Sequence, residues 1–224
     1  PPEAMNGLDQ LILLLPIFLF SVVAHEYAHA RVAVWQGDPT PAALGRVTLN
    51  PFPHLDLVGS LIVPAALWLM PGSFLFGWAK PVPVDAENFD DYTRGDILVS
   101  LAGVSANFLL AGVLVLAAGG LARSGAALPM TAGTLDTVQS AVRMGIFFNL
   151  LLGVFNLIPI PPLDGSHVMV HLLPDELGAR YRELGKYGLL LLLALFFLPG
   201  TMEALLSPVW ALMEGADALI LLLS

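Results

Sequence analysis

Residues 11–35 form an apolar run of bilayer length whose only charged or histidine residues are His25, Glu26, His29 and Arg31. The first three fall in the pattern His25-Glu26-Tyr27-Ala28-His29. A helix needs about 20 apolar residues to cross the hydrocarbon core. A carboxylate at the centre of such a helix costs on the order of 2.5 kcal/mol or more, so it belongs against protein or in a wet cavity. The run therefore predicts a membrane helix and requires the rest of the chain to enclose its polar face.

The remaining sequence is of the same kind. Hydrophobic residues make up 57%, charged residues only 12%, and mean hydropathy is +0.79 over 224 residues. That is too apolar for a soluble domain of this length. Residues 97–122 and 144–163 carry no charge, 187–202 is a shorter apolar run, and 204–223 contains Glu214 and Asp217. We expect an all-α polytopic membrane protein of about five transmembrane helices, forming one membrane-embedded domain over residues 1–224. Residues 57–76 are apolar but broken by Pro64, Pro71 and several glycines, which suits a re-entrant or partly inserted segment. Residues 1–10 offer no basic stretch, so the first run reads as a helix and not as a cleaved signal. No repeat or polar block marks a regulatory module. The net charge of -9 with nine scattered Lys and Arg residues excludes a phosphate-binding face, and hence nucleic acid. With no cysteine, any metal site must be built from His and carboxylate.

Positions i and i+4 of an α-helix lie about 40° and 6 Å apart, so His25 and His29 can offer imidazole nitrogens to one cation. Zinc suits two His plus one carboxylate, with a fourth position left to water. A neighbouring Glu that does not bind the metal can take a proton from that water. Glu26 fits this part.

Asp164 is the candidate third ligand. Pro159, Pro161 and Pro162 cannot continue the helix of residues 144–163, so the chain must unwind there. Unwound backbone at membrane depth survives only inside protein or beside a wet cavity. Asp164 would project from this segment, with Gly165 permitting the turn; a capping turn at a helix end is the other reading of the same residues. If His25, His29 and Asp164 share a metal, their helices end at one face. An odd number of crossings must then separate them, and residues 97–122 supply one. Arg31, Arg46, Lys80, Arg94, Arg180, Arg182 and Lys186 would fall on that face, with Arg123 opposed and Arg143 near the opposite end of a span, which predicts a cytoplasmic site.

The two motifs in this order and setting resemble the site-2 protease family of intramembrane zinc metalloproteases, over about residues 11–171. Gly45-Arg46-Val47-Thr48-Leu49-Asn50-Pro51-Phe52-Pro53-His54, Gly77-Trp78-Ala79-Lys80-Pro81-Val82-Pro83-Val84 and Ala102-Gly103-Val104-Ser105-Ala106-Asn107 look like its short prokaryotic branch without PDZ or CBS modules. Val104 departs from the family, where Pro is common. The resemblance implies zinc held by His25, His29 and Asp164, with zinc-bound water activated by Glu26. It implies hydrolysis of a peptide bond in or near a transmembrane helix of a protein substrate, in a multi-pass protein of a prokaryotic plasma membrane.

A helical substrate must be unwound and its freed backbone groups satisfied, which an exposed strand edge can do. Residues 46–50 and 79–84 have the composition of short membrane-associated β-strands, or of plain interfacial loops. Asn156 is a candidate for holding substrate backbone. Asn107 and Asn149 are weaker ones, since an amide in a membrane helix also bonds neighbouring helices. His54 suits the oxyanion, a supporting contact, or neither. His167 and His171 form a further i, i+4 pair without a glutamate and read as a helix face. Residues 71–83, rich in Pro and Gly, suit a gate. A membrane metal-binding or transport protein, or an inactive relative, are the alternatives.

Overall fold

The computed structural model describes residues 7–63, 66, 78–124, 130–198 and 200–224. Most of the expected re-entrant stretch, 57–76, lies outside these residues, as does most of the expected gate at 71–83. Regular structure among the described residues is helical, with no strand. The long elements are α1 (Gly7–Trp35), α3 (Tyr92–Ser124), α4 (Ala132–Asn156) and α8 (Thr201–Leu223). Between them lie α2 (Thr40–Ala43), α5 (Asp164–Leu172), α6 (Asp175–Glu183) and α7 (Gly188–Phe197). Among the described residues four helices are long and apolar enough to cross a membrane: Leu13–Trp35, Tyr92–Ser124, Ala132–Asn156 and Thr201–Leu223. The expected crossing over 187–202 contains the ten-residue α7, half the length of about 20 that a span requires. Leu198 turns extended after it, and Gly200 takes φ 80 before α8.

The chain divides into two compact units, Val22–Gly103 and Pro1–Ser21 with Val104–Ser224. The helices α1 and α3 contribute residues to both. In the larger unit, Ala111 and Val115 of α3, Ile146 and Leu150 of α4, and Val209 of α8 form the buried core. Phe147 and Trp210 stack alongside at 5.3 Å between centroids, and Arg143 pairs with Asp217 at 2.6 Å. Leu109, Val113 and Leu116 of α3 face outward, as side chains do when lipid is the solvent. A polar knot crosses this core. Asn107 donates to the Ser21 carbonyl and to Asn149 Oδ1, while Asn149 donates to Ser21 Oγ at 2.9 Å and to the Gly145 carbonyl. Asn107 and Asn149 thus bind α1, α3 and α4 together, as amides in apolar surroundings do.

The smaller unit takes in the second half of α1, which stops at Trp35. Asp38 N–H bonds the Ala33 carbonyl and Gly37 N–H the Val34 carbonyl, with Gly37 at φ 105. This is a left-handed glycine stop that satisfies the last carbonyls of the helix. A Cβ on Gly37 would also come 2.9 Å from the Asn88 carbonyl oxygen. The stop delivers Asp38 into a fully buried position, where its carboxylate accepts from Thr40 N–H, Asp85 N–H and Asn88 Nδ2. Residues 36–40 are thereby tied to 85–88, over a small core of Ala33, Phe89 and Val99.

Burial pushes the Asp38 carboxyl up, but its hydrogen bonds outweigh that and hold it below its usual 3.8. A carboxylate depressed in the folded state stabilises the fold above its unfolded pKa and loses that contribution as pH falls through the folded value. Thermal stability in detergent should therefore be insensitive to this group above about pH 5 and decline below about pH 4. Asp38→Ala should cost about 1–3 kcal/mol at neutral pH by stranding buried donors, and should remove that part of the acid decline.

Candidate metal centre

The second half of α1 brings His25 and His29 to one face, both buried. His29 Nδ1 lies 2.7 Å from the Val99 carbonyl oxygen of α3. A carbonyl only accepts, so Nδ1 carries the proton and Nε2 carries the lone pair. That lone-pair nitrogen lies 2.9 Å from His25 Nε2, with the rings at 83° to each other. Two nitrogens about 2.1 Å from a tetrahedral zinc are about 3.4 Å apart, so the pair needs only a small opening to share an ion. The Val99 carbonyl fixes the tautomer of His29 in the way an outer partner fixes a metal-binding histidine.

Space for the pair is made by Gly103. A Cβ at this position of α3 would lie 2.5 Å from His25 Cε1 and from His29 Nε2, and 2.6 Å from His25 Nε2. The helix passes the imidazoles at a residue without a side chain. The tautomer, the convergence of two Nε2 atoms and this glycine cradle all fit a zinc ion.

Glu26, next to the pair, is half-buried and accepts the Val82 N–H on Oε2 at 2.8 Å. Residues 79–84, one of the expected strands, form no ladder here, and neither do 46–50. Pro81 and Pro83 have no N–H to give, and other backbone groups bond side chains: the Lys80 and Pro81 carbonyls to Arg46 and, just after the segment, Asp85 N–H to Asp38. His54 is buried, with its Nε2 3.0 Å from the Thr48 carbonyl oxygen. The neutral ring has thus spent its only donor, and Nδ1 is left a buried acceptor without a partner among the described residues. Donating to an oxyanion requires the doubly protonated ring. The His54 carbonyl meanwhile accepts Lys80 N–H at 2.8 Å.

In the other unit, α4 ends at Asn156, whose Nδ2 donates to the Leu152 carbonyl at 3.0 Å. The following prolines hold residues 157–163 in turns, pinned at the Pro159 carbonyl by the Tyr181 hydroxyl at 2.5 Å. Asp164 then opens α5 in its first turn. A Cβ on Gly165 would collide with the Leu157 carbonyl, so the residue after Asp164 has to be glycine for the turn to close. His171 is half-buried on the same short helix, with His167 exposed.

A helical membrane protein with this histidine pair, a flanking glutamate and a zinc-shaped cradle is a zinc hydrolase of the membrane. Comparison with known proteins gives the same class. YwhC of Bacillus subtilis strain 168, assigned by name to the zinc metalloproteases, is 36% identical over 183 residues, covering 81% of this chain and 78% of its own. Rip2 of Mycobacterium tuberculosis, assigned likewise, is 31% identical over 202 residues, covering 88% and 71%. Rip2 of Mycolicibacterium smegmatis is 29% identical over 192 residues, covering 84% and 68%. No protein-family model and no solved structure matches the chain. The chain belongs to the site-2 protease family, and zinc is its cofactor.

Sequence reasoning named the candidate site residues and missed the groups that contact them. Gly103, the Val99 carbonyl and the Val82 N–H act through backbone or through an absent side chain. Only Gly103 left a trace, as a glycine inside a long apolar helix.

Proposed function

We propose that the protein is an intramembrane zinc endopeptidase that cuts a peptide bond in or near a transmembrane helix of another membrane protein. The observation that carries the reading is the convergent, tautomer-fixed pair His25 and His29 with Glu26 beside it on a membrane helix. By the family resemblance Asp164 completes the ligand set: two imidazoles and one carboxylate are donors that could hold a zinc ion. Among the described residues one apolar crossing, α3, lies between α1 and α4 along the chain, which suits a common face, taken as cytoplasmic from the basic residues.

When bound, zinc supplies a Lewis acid that polarises water and the scissile carbonyl. Glu26 accepts a proton from the attacking water and delivers it to the leaving amine, so that water is added across the C–N bond. Asn156, at the end of α4, is proposed to hold substrate backbone; His54 and Asn107 support the loop and the helix packing on which the site rests. The partners on this reading are a single-span protein substrate and the lipid bilayer.

The test is the purified protein in liposomes with a single-span reporter. Cleavage should stop with a zinc chelator and return with added zinc. Zinc flux across the vesicle without any cleavage would replace this reading with transport. Asp164→Ala should lower zinc affinity at least about tenfold, read by metal content after dialysis.

A further inference from the structure

Arg46 is buried, and its partners among the described residues are three backbone carbonyls. Its guanidinium donates to Pro53, to Lys80 at 3.1 Å and to Pro81 at 2.8 Å. Burying a cation is expensive unless its donors are all used, so this arrangement has to do more than close a loop. The last contact shows what. The Pro81 carbonyl and the Val82 N–H belong to one planar trans peptide group, in which they point in opposite directions. One side of that group meets Arg46 and the other meets Glu26 Oε2, each at 2.8 Å.

We propose that Arg46 is a positioning residue for the reaction, holding the Glu26 carboxylate through the Pro81–Val82 peptide group. The fixed charge of Arg46 polarises the peptide and strengthens its N–H as a donor. The N–H anchors Oε2 and leaves Oε1 to exchange the proton with water and the leaving amine. The flanks keep the peptide from turning. Lys80 N–H is bonded to the His54 carbonyl and Asp85 N–H to Asp38, both at 2.8 Å. A segment pinned on each side is built as a brace and not as a flap that must leave for substrate to enter.

The proposal rests on Glu26 being the base, and it is tested by two measurements that separate the ideas. The first is turnover of the reporter by the zinc-loaded full chain. Arg46→Gln should lower kcat about tenfold to hundredfold, as a misplaced reacting group does. KM should stay within about twofold and zinc content should be unchanged. Arg46→Lys, which keeps a charge and donors, should recover part of kcat. A purely structural role would lower the active fraction without rescue by Lys. The second measurement is the amide proton of Val82 in 15N-valine-labelled protein in detergent. It should lie downfield in wild type and move upfield in Arg46→Gln and in Glu26→Gln alike. Wild-type kcat in Arg46→Gln, a rise in kcat showing the segment to be inhibitory, or a Val82 proton unmoved by both substitutions would overturn the proposal. An inactive Glu26→Gln beside a fully active Arg46→Gln would sink the brace alone. Wild-type cleavage by Glu26→Gln would sink the base, and the brace with it.

Discussion

Glu26→Gln is expected to abolish cleavage of a membrane reporter, by about 10²–10⁴-fold or to below detection, while zinc content stays at the wild-type level. The amide has nearly the shape of the carboxylate, and its oxygen can still accept the Val82 N–H that Oε2 accepts now. What it lacks is an acceptor basic enough to take a proton from water. His25 and His29 keep their contacts, since the tautomer of His29 is set by the Val99 carbonyl and not by Glu26. Loss of activity without loss of metal therefore separates a base from a ligand. Metal quantification on the sample used for turnover checks both halves. Undiminished cleavage by this variant would remove Glu26 from the mechanism, and loss of zinc would make it a ligand.

The parts of the molecule legible in sequence are those whose physics is local. Residues 97–122 and 144–163 carry no charge; the first run falls in α3 and the second, as far as Asn156, in α4, because bilayer-length apolar runs have no alternative to the helix. Pro159, Pro161 and Pro162 marked the end of α4, because a ring without N–H cannot continue it. His25, Glu26 and His29 were readable since i, i+4 spacing is a property of one helix. Residues 79–84 went otherwise. Their composition suggested a strand, but a strand is defined by its partner, and here the partners are the side chains of Arg46 and Glu26. Asp38 shows the same limit: nothing in its neighbours along the chain announces that it will be buried against Asp85 and Asn88.

Gly103→Ala should be nearly as damaging as removing a ligand, although it adds one methyl group to a helix that alanine otherwise favours. In a free helix the change would stabilise by up to about 1 kcal/mol. Here the new Cβ would stand 2.5 Å from two imidazole atoms, and neither ring can move away cheaply. His29 is held at Nδ1 by the Val99 carbonyl, one turn away on the same helix as Gly103, so displacing the ring breaks a 2.7 Å hydrogen bond. Shifting α3 instead would disturb Val99 in its core contact with Ala33 and Phe89. The ligands must therefore yield, and zinc affinity should fall about tenfold to hundredfold, the range seen when the supports of a metal ligand are removed. Thermal stability of the metal-free protein should fall as well, since the lost hydrogen bond costs about 1–3 kcal/mol against a helix gain of up to about 1 kcal/mol. Zinc titration against a competing chelator, paired with melting of the apo form, checks this. Wild-type affinity in Gly103→Ala would mean that the imidazoles are not confined by α3, and the cradle would have to be abandoned.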